Sequence, residues 1–177
     1  MSDIDKNQMF SVSLKVEAES VLADLRQRGL KIVTAESCTG GLIAGVLTEC
    51  AGSSEVVERG FVTYSNEAKV AMLGVPRRLI ETLGVISREV AEAMAAGALA
   101  QSLADVSVAV TGLAGPGGGS AAKPVGLVHI AAARRGGRVI HQECRFGSVS
   151  RSDIREQAVW SALALVRRLV AASDGKV

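Results

Sequence analysis

Ser37 and Cys38 stand side by side in Thr34-Ala35-Glu36-Ser37-Cys38-Thr39-Gly40-Gly41, and either could act as a nucleophile. Acyl transfer by such a residue also needs a base and a site for the oxyanion. His129 and His141 fall inside predicted strands and read as structural histidines rather than as the base. Lysine is the remaining option. Lys69 closes Tyr64-Ser65-Asn66-Glu67-Ala68-Lys69, a second strand end followed by a helix start. Neutral Lys69 could take the proton of Ser37, with Tyr64 relaying or orienting it, as in the Ser–Lys variants of the catalytic triad. At its ordinary pKa a lysine is an acid at neutral pH, so a shift of about three units, or roughly 4 kcal/mol, is required. An apolar, alanine-rich crevice could supply it. An ordinary capped turn at Thr39 and a solvated Lys69 satisfy the same patterns, and both stay open on these residues alone.

The oxyanion would be received by backbone amides near Thr39, Gly40 and Gly41, where the octet opens a helix whose first N–H groups lack partners. A second anion site is suggested by Thr111-Gly112-Leu113-Ala114-Gly115-Pro116-Gly117-Gly118-Gly119-Ser120, a glycine-rich loop directly after a strand. Its glycines, Gly112, Gly115, Gly117 and Gly118, allow close backbone approach to a phosphate or carboxylate. The loop is neither a Walker A sequence nor a dinucleotide fingerprint. Lys123 and Arg151 could add positive charge, Arg151 from just before the last helix.

These residues need a scaffold that gathers strand ends. An apolar run at Leu30–Val33 leads into the octet, and a helix is predicted from Gly40 to Cys50. Further strands are expected at 60–64, 106–110, 125–133 and 139–146, the last two joined by the hairpin signal Arg135-Gly136-Gly137-Arg138. Helices are expected at about 13–28, 66–73, 76–83, 88–103 and 153–171. Partial alternation of strands and helices predicts an α/β domain, a three-layer α/β/α sandwich around a mixed, mostly parallel five-stranded sheet. Residues 1–12 read as a disordered or extended N-terminus and 13–177 as a single domain.

Composition narrows the function classes. The 177 residues are 48% apolar, 21% charged and only 3% aromatic, with a net charge of +2. Stacking platforms and basic surfaces are thus scarce, and neither nucleic acid nor a membrane is expected as partner. The run lengths predict no spanning helix and the polar start does not resemble a signal peptide. Cys38, Cys50 and Cys144 lack metal-ligand spacing, and their odd number suits a reducing, cytoplasmic setting.

The octet, Gly60-Phe61-Val62-Thr63-Tyr64-Ser65-Asn66-Glu67-Ala68-Lys69 and Thr111-Gly112-Leu113-Ala114-Gly115-Pro116-Gly117-Gly118 together resemble the CinA C-terminal domain family, bacterial nicotinamide-mononucleotide amidohydrolases, over roughly residues 13–171. The resemblance implies the three-layer fold and hydrolysis of nicotinamide mononucleotide to nicotinate mononucleotide and ammonia. It implies Ser37 as nucleophile, Lys69 as base, Tyr64 in support and Arg151 near the substrate phosphate. Neither metal nor organic cofactor is implied. The segment Phe146-Gly147-Ser148-Val149-Ser150-Arg151 is about one residue longer than the family's usual Phe-Pro-Gly-Asp-Arg, which loosens the Arg151 match. The metal-dependent phosphatase-type activity of the N-terminal domain in two-domain members does not transfer to these residues. Two other readings remain: a non-catalytic nucleotide-sensing or competence-related interaction module, and an amidase for another small amide. A homodimer built on the apolar helices is a further expectation.

Overall fold

The computed structural model of the chain describes residues 9–147 and 149–172. Its elements run α1 (Val12–Gln27), β1 (Ile32–Glu36), α2 (Leu42–Glu49), β2 (Val57–Val62), α3 (Asn66–Leu73), α4 (Arg77–Leu83), α5 (Arg88–Ala100), β3 (Val106–Gly112), β4 (Leu127–Arg134), β5 (Val139–Arg145) and α6 (Arg151–Ala171). The strands form one five-stranded sheet in the order β2-β1-β3-β4-β5. β1 pairs in parallel with β2 and β3, while the β3–β4 and β4–β5 ladders are antiparallel. Parallel and antiparallel ladders are therefore equal in number, but four of the five strands point the same way and β4 alone runs against them. The expected mixed α/β architecture is what forms.

The two faces of the sheet differ in side-chain size. Ile32, Val106, Val108, Val110, Val128 and Ile130 face α1, α2 and α6, whereas Ala35, Ala109, Ala131 and Ala133 share the other face with Val33, under α3, α4 and α5. The alanine face lets α5, itself lined by Ala91, Ala95 and Ala98, lie close to the sheet. In turn α3 lies close on α5: a Cβ added at Gly97 of α5 would stand 1.9 Å from the Leu73 carbonyl oxygen at the end of α3. Only glycine permits that approach, and α3 is the helix that carries Lys69.

Chain order creates the crevice. From β1 the chain moves to β2 on one side, then returns through α3, α4 and α5 to β3 on the other side of β1. The carboxyl ends of β1 and β3 thus diverge at a topological switch point, the usual place for a site in an open α/β sheet. At the opposite end, the hairpin between β4 and β5 spreads its arginines over two helix ends. Arg135 donates to the carbonyls of Leu99 in the last turn of α5 and of Ser102 and Ala104 just beyond it, and Arg138 to those of Arg168 and Leu169 in α6. Cations at carbonyl-rich helix ends complement the helix dipole.

Several boundaries differ from the sequence-based expectation. β1 extends through Glu36, so the octet's first three residues are strand, and α2 begins at Leu42 after a five-residue connection that includes both glycines. β2 ends at Val62, leaving Thr63 and Tyr64 as a connector. The expected disordered start falls mostly outside the described residues, but Ser11 already caps α1, accepting from Leu14 N. Among the described residues no helix is long and apolar enough to cross a membrane.

Gly97→Ala is expected to cost about 1–3 kcal/mol or more in urea unfolding, because the backbone of α3 must retreat from the new methyl group. A change below about 0.5 kcal/mol would show that the α3–α5 approach is not tight.

Candidate active site

Ser37 follows β1 directly and is tied to β3 by its N–H, which donates to Val110 O at 3.0 Å. The chain then reverses sharply. Gly40 and Gly41 both take left-handed conformations, with φ of 61° and 96°, which a side chain would resist. The turn is fastened by Glu36. Its carboxylate is fully buried and accepts the N–H groups of Gly41 and Ile43 at 3.0 Å and of Ala44 at 2.9 Å. A carboxylate fits this helix N-terminus because those donors have no intrahelical acceptor.

The second half of the site comes from β2 and α3. Thr63 N–H donates to Glu36 O at 2.8 Å, so the connector continues beside β1. Ser65 then caps α3, its hydroxyl accepting Ala68 N at 3.0 Å. Side chains in a helix lean toward its N-terminus, which carries Lys69 back to the strand ends. Its Nζ lies 3.0 Å from Ser37 Oγ, 2.7 Å from Thr63 O and 3.4 Å from Tyr64 O. Lys69 has no exposed surface, and this burial lowers its pKa from 10.5 to about 8. When the amine is neutral, the two carbonyls, which only accept, take its two N–H groups and the lone pair is left for the Ser37 hydroxyl.

Cys38 experiences the same burial with the opposite effect. Desolvation pushes its thiol up to about 11, outweighing the lowering by its own backbone N–H and by Lys69. A thiol held protonated is a poor nucleophile.

A pocket of about 210 Å³ opens over these groups, walled by Ser37, Cys38, Tyr64, Asn66, Lys69, Val85, Ile86, the 111–114 segment and Arg151. Arg151 is the first residue of α6 and bridges its rim, donating from Nη1 to Gly115 O at 2.7 Å and from Nη2 to the Tyr64 hydroxyl at 3.0 Å. Tyr64 is largely exposed, and it is its carbonyl, not its phenol, that meets Lys69. The structure therefore brings Ser37, Lys69, Tyr64, Gly112 and Arg151 to one pocket. Gly115 joins through its carbonyl, whereas Gly117 and Gly118 are exposed and do not wall it. Lys123 points away, donating to Leu83 O at 2.7 Å.

The amides expected for the oxyanion fare differently from one another. Gly40 N–H is committed to Ser37 O and Gly41 N–H to Glu36, because the turn and the carboxylate consume them. The Thr39 N–H has no acceptor among the described residues, and that of Cys38 has no backbone acceptor and meets only its own side-chain sulfur. Sequence reasoning gave no role to Glu36, Thr111, Val85 or Ile86. Glu36 carried a signal, an acid closing an apolar strand just before two glycines; Val85 and Ile86 carried none, being brought in by a turn between α4 and α5. Thr111 reaches them through its hydroxyl, which donates to Val85 O at 2.9 Å.

A family model described as the CinA C-terminal domain matches residues 15–170. This chain belongs to the CinA C-terminal domain family. The crystal structure of the competence/damage inducible protein CihA from Agrobacterium tumefaciens is 53% identical, with a TM-score of 0.90, and the alignment covers 92% of this chain and 98% of that one. A CinA superfamily protein from Escherichia coli is 31% identical with a TM-score of 0.84, covering 96% and 99%. Among curated relatives, a CinA-like protein of Mycolicibacterium gilvum is 46% identical over 168 residues, 95% of this chain but 39% of its own length. The chain thus spans about two-fifths of that relative's length and nearly the whole of the two crystallised chains.

The burial of Lys69 gives this CinA domain a measurable pH signature. Folded Lys69 releases its proton near 8 and the unfolded residue near 10.5, so between them the unfolded chain holds the extra proton and stability rises with pH. Measured by urea unfolding at about pH 7.5 and pH 10, the protein should gain on the order of 2–3 kcal/mol relative to Lys69→Met. A constant difference would show that Lys69 titrates as a solvated lysine.

Proposed function

We propose that this chain is a Ser–Lys amidohydrolase that converts nicotinamide mononucleotide to nicotinate mononucleotide and ammonia. The observation that carries the reading is the 3.0 Å contact between Ser37 Oγ and an Lys69 amine shut off from water. A module that only senses a nucleotide has use for a pocket, but not for a desolvated amine resting on a hydroxyl. The choice of nucleotide follows the family resemblance and is supported by an arginine at the pocket rim.

In the proposed route, neutral Lys69 removes the proton of Ser37 as Oγ attacks the carboxamide carbon. The oxyanion is held by the N–H groups of Cys38 and Thr39, which have no backbone acceptor, since Gly40 and Gly41 are already bonded. Protonated Lys69 then gives its proton to the departing amine, ammonia leaves, and a nicotinoyl ester remains on Ser37. Water enters where ammonia left and adds to the ester carbon as Lys69 takes its proton; Lys69 then returns that proton to Ser37 Oγ as the C–O bond breaks, and the released acid ionises to the carboxylate. Only side chains, backbone and water take part. Arg151 serves as the remote handle for the ribose phosphate, so that binding energy at the rim positions the amide over Ser37. Its two hydrogen bonds, to Gly115 and Tyr64, fix the guanidinium plane before substrate arrives.

Ammonia release from nicotinamide mononucleotide tests the assignment. Ser37→Ala should lose activity by a factor of about 10³ or more, whereas Cys38→Ala should stay within about tenfold of the parent. The reverse pattern would make Cys38 the nucleophile. The acid limb of turnover should fall near 8, where the Lys69 amine takes up its proton; a limb near 6.5 would point to a histidine base instead.

Arg151→Ala should raise KM for the mononucleotide by roughly 10- to 100-fold, as expected for a lost charge-assisted contact, and leave turnover of the corresponding riboside nearly unchanged. Equal losses on both substrates would remove Arg151 from the phosphate.

A further inference from the structure

Two histidines lie behind the pocket rather than in it. His129 of β4 is buried, and its Nδ1 stands 3.0 Å from Nε2 of His141 on β5. The ring centroids are 5.2 Å apart and the planes are inclined by only 23°. The centroid separation exceeds the nitrogen separation by about two ring radii, so the nitrogens point at one another nearly in line. A metal shared by two imidazoles needs both lone pairs to converge from the side, and among the described residues no third ligand completes such a set. The geometry is that of one N–H shared with one lone pair.

The pair is connected to the pocket wall. His129 stands directly opposite Thr111 in the antiparallel β3–β4 register, so the two side chains are neighbours on the α5 face of the sheet. Thr111 in turn holds Val85 O, and Thr111, Val85 and Ile86 all wall the pocket. We propose that the His129–His141 pair is a positioning element, which holds Thr111 and the Val85–Ile86 turn in place for substrate and releases them when both rings are protonated.

A first added proton can sit on an outward nitrogen and leave the contact intact. The second must land on the facing lone pair, where two N–H groups oppose each other and the contact breaks. Burial and mutual repulsion both hold His129 below its ordinary value of 6.5, and burial and Arg88 do the same for His141. The charged groups that face the pair are Arg88, Glu89 and Glu92 from α5, Glu143 from β5 and Lys123 from the loop before β4. The three carboxylates offer the protonated rings new partners, while Arg88 and Lys123 oppose the second proton. Release is therefore an acid event, separated from the Lys69 proton by its lower pH.

The kinetic test rests on the amidohydrolase reading, and a second measurement does not. Kinetically, KM for nicotinamide mononucleotide should rise at least about fivefold between pH 7.5 and pH 5, the scale of a modest coupling. In His141→Gln, whose amide keeps a hydrogen bond to His129 but does not titrate, KM should stay low and flat. In His141→Ala it should already be raised at pH 7.5, while the acid limb of kcat is the same in all three. An identical KM profile in the parent and His141→Ala would overturn the proposal.

Nuclear magnetic resonance of the substrate-free protein decides the matter even where no turnover is seen. The two imidazoles should titrate in separate steps, and the amides of Thr111, Val85 and Ile86 should shift with the second step. Independent titration of the rings, or pocket amides that stay silent, would also overturn it.

Discussion

The structure turns on a primary amine with no exposed surface, set beneath the floor of a pocket. Lys69 Nζ has a serine hydroxyl and two backbone carbonyls as partners, and no carboxylate among the contacts that pair it. Charging the amine there sacrifices hydration that three neutral oxygens do not replace. The surrounding architecture exists to maintain that mismatch. Ser65 starts α3 at the right residue, Gly97 lets α3 settle against α5, and Thr63 turns its carbonyl inward because its N–H is held by Glu36. A lysine is flexible enough to find solvent when it can; here the packing of α3 on α5 denies it that route.

Glu36 is the informative contrast, a second ionisable side chain buried next to Ser37. It points to the opposite face of the sheet from Ser37, as neighbours at a strand end do, and lies under α2 while Lys69 lies under α3. Glu36 finds three N–H groups at a helix N-terminus, which together act as a diffuse positive charge. One buried charge is fully compensated and serves as a fastening for the Ser37 turn. The other is under-compensated and thereby reactive. Because Glu36 uses up the helix end, the proposed route places the oxyanion at the turn preceding the helix, at Cys38 and Thr39, rather than at the helix itself.

Much of this arrangement could be read from residue types. The strand-turn-helix at the octet, the lysine one helical turn past a second strand end and the glycine loop after a third all lie where the spacing put them, because each is a local signal. What could not be read depends on which groups the folded chain brings into contact. Gly40 and Gly41 looked like a first helical turn, but Glu36 displaces the helix start by claiming the amides of Gly41, Ile43 and Ala44. Tyr64 looked like a proton relay, but Arg151, 87 residues away, draws its phenol to the rim. Lys123 looked like a phosphate ligand until the end of α4 offered it a carbonyl. Val85 and Ile86 are anonymous in the sequence and enter the pocket only because Thr111 on β3 grips the turn that bears them.

The adjacency of Ser37 and Cys38 poses a chemical question that burial answers. Thiols are ordinarily the better nucleophiles near neutral pH, because a measurable fraction is already thiolate. A dry environment penalises whichever form is charged. For the cysteine the charged form is the reactive one, and burial pushes its pKa to about 11. For the lysine the neutral form is the reactive one, and burial brings its pKa to about 8. A serine needs no thiolate-like resting state; it needs a neutral base in hydrogen-bond reach, which Lys69 supplies at 3.0 Å. The same exclusion of water raises the Cys38 thiol and lowers the Lys69 amine, which in the proposed route silences Cys38 and arms Ser37, and the two effects cannot be separated without opening the pocket.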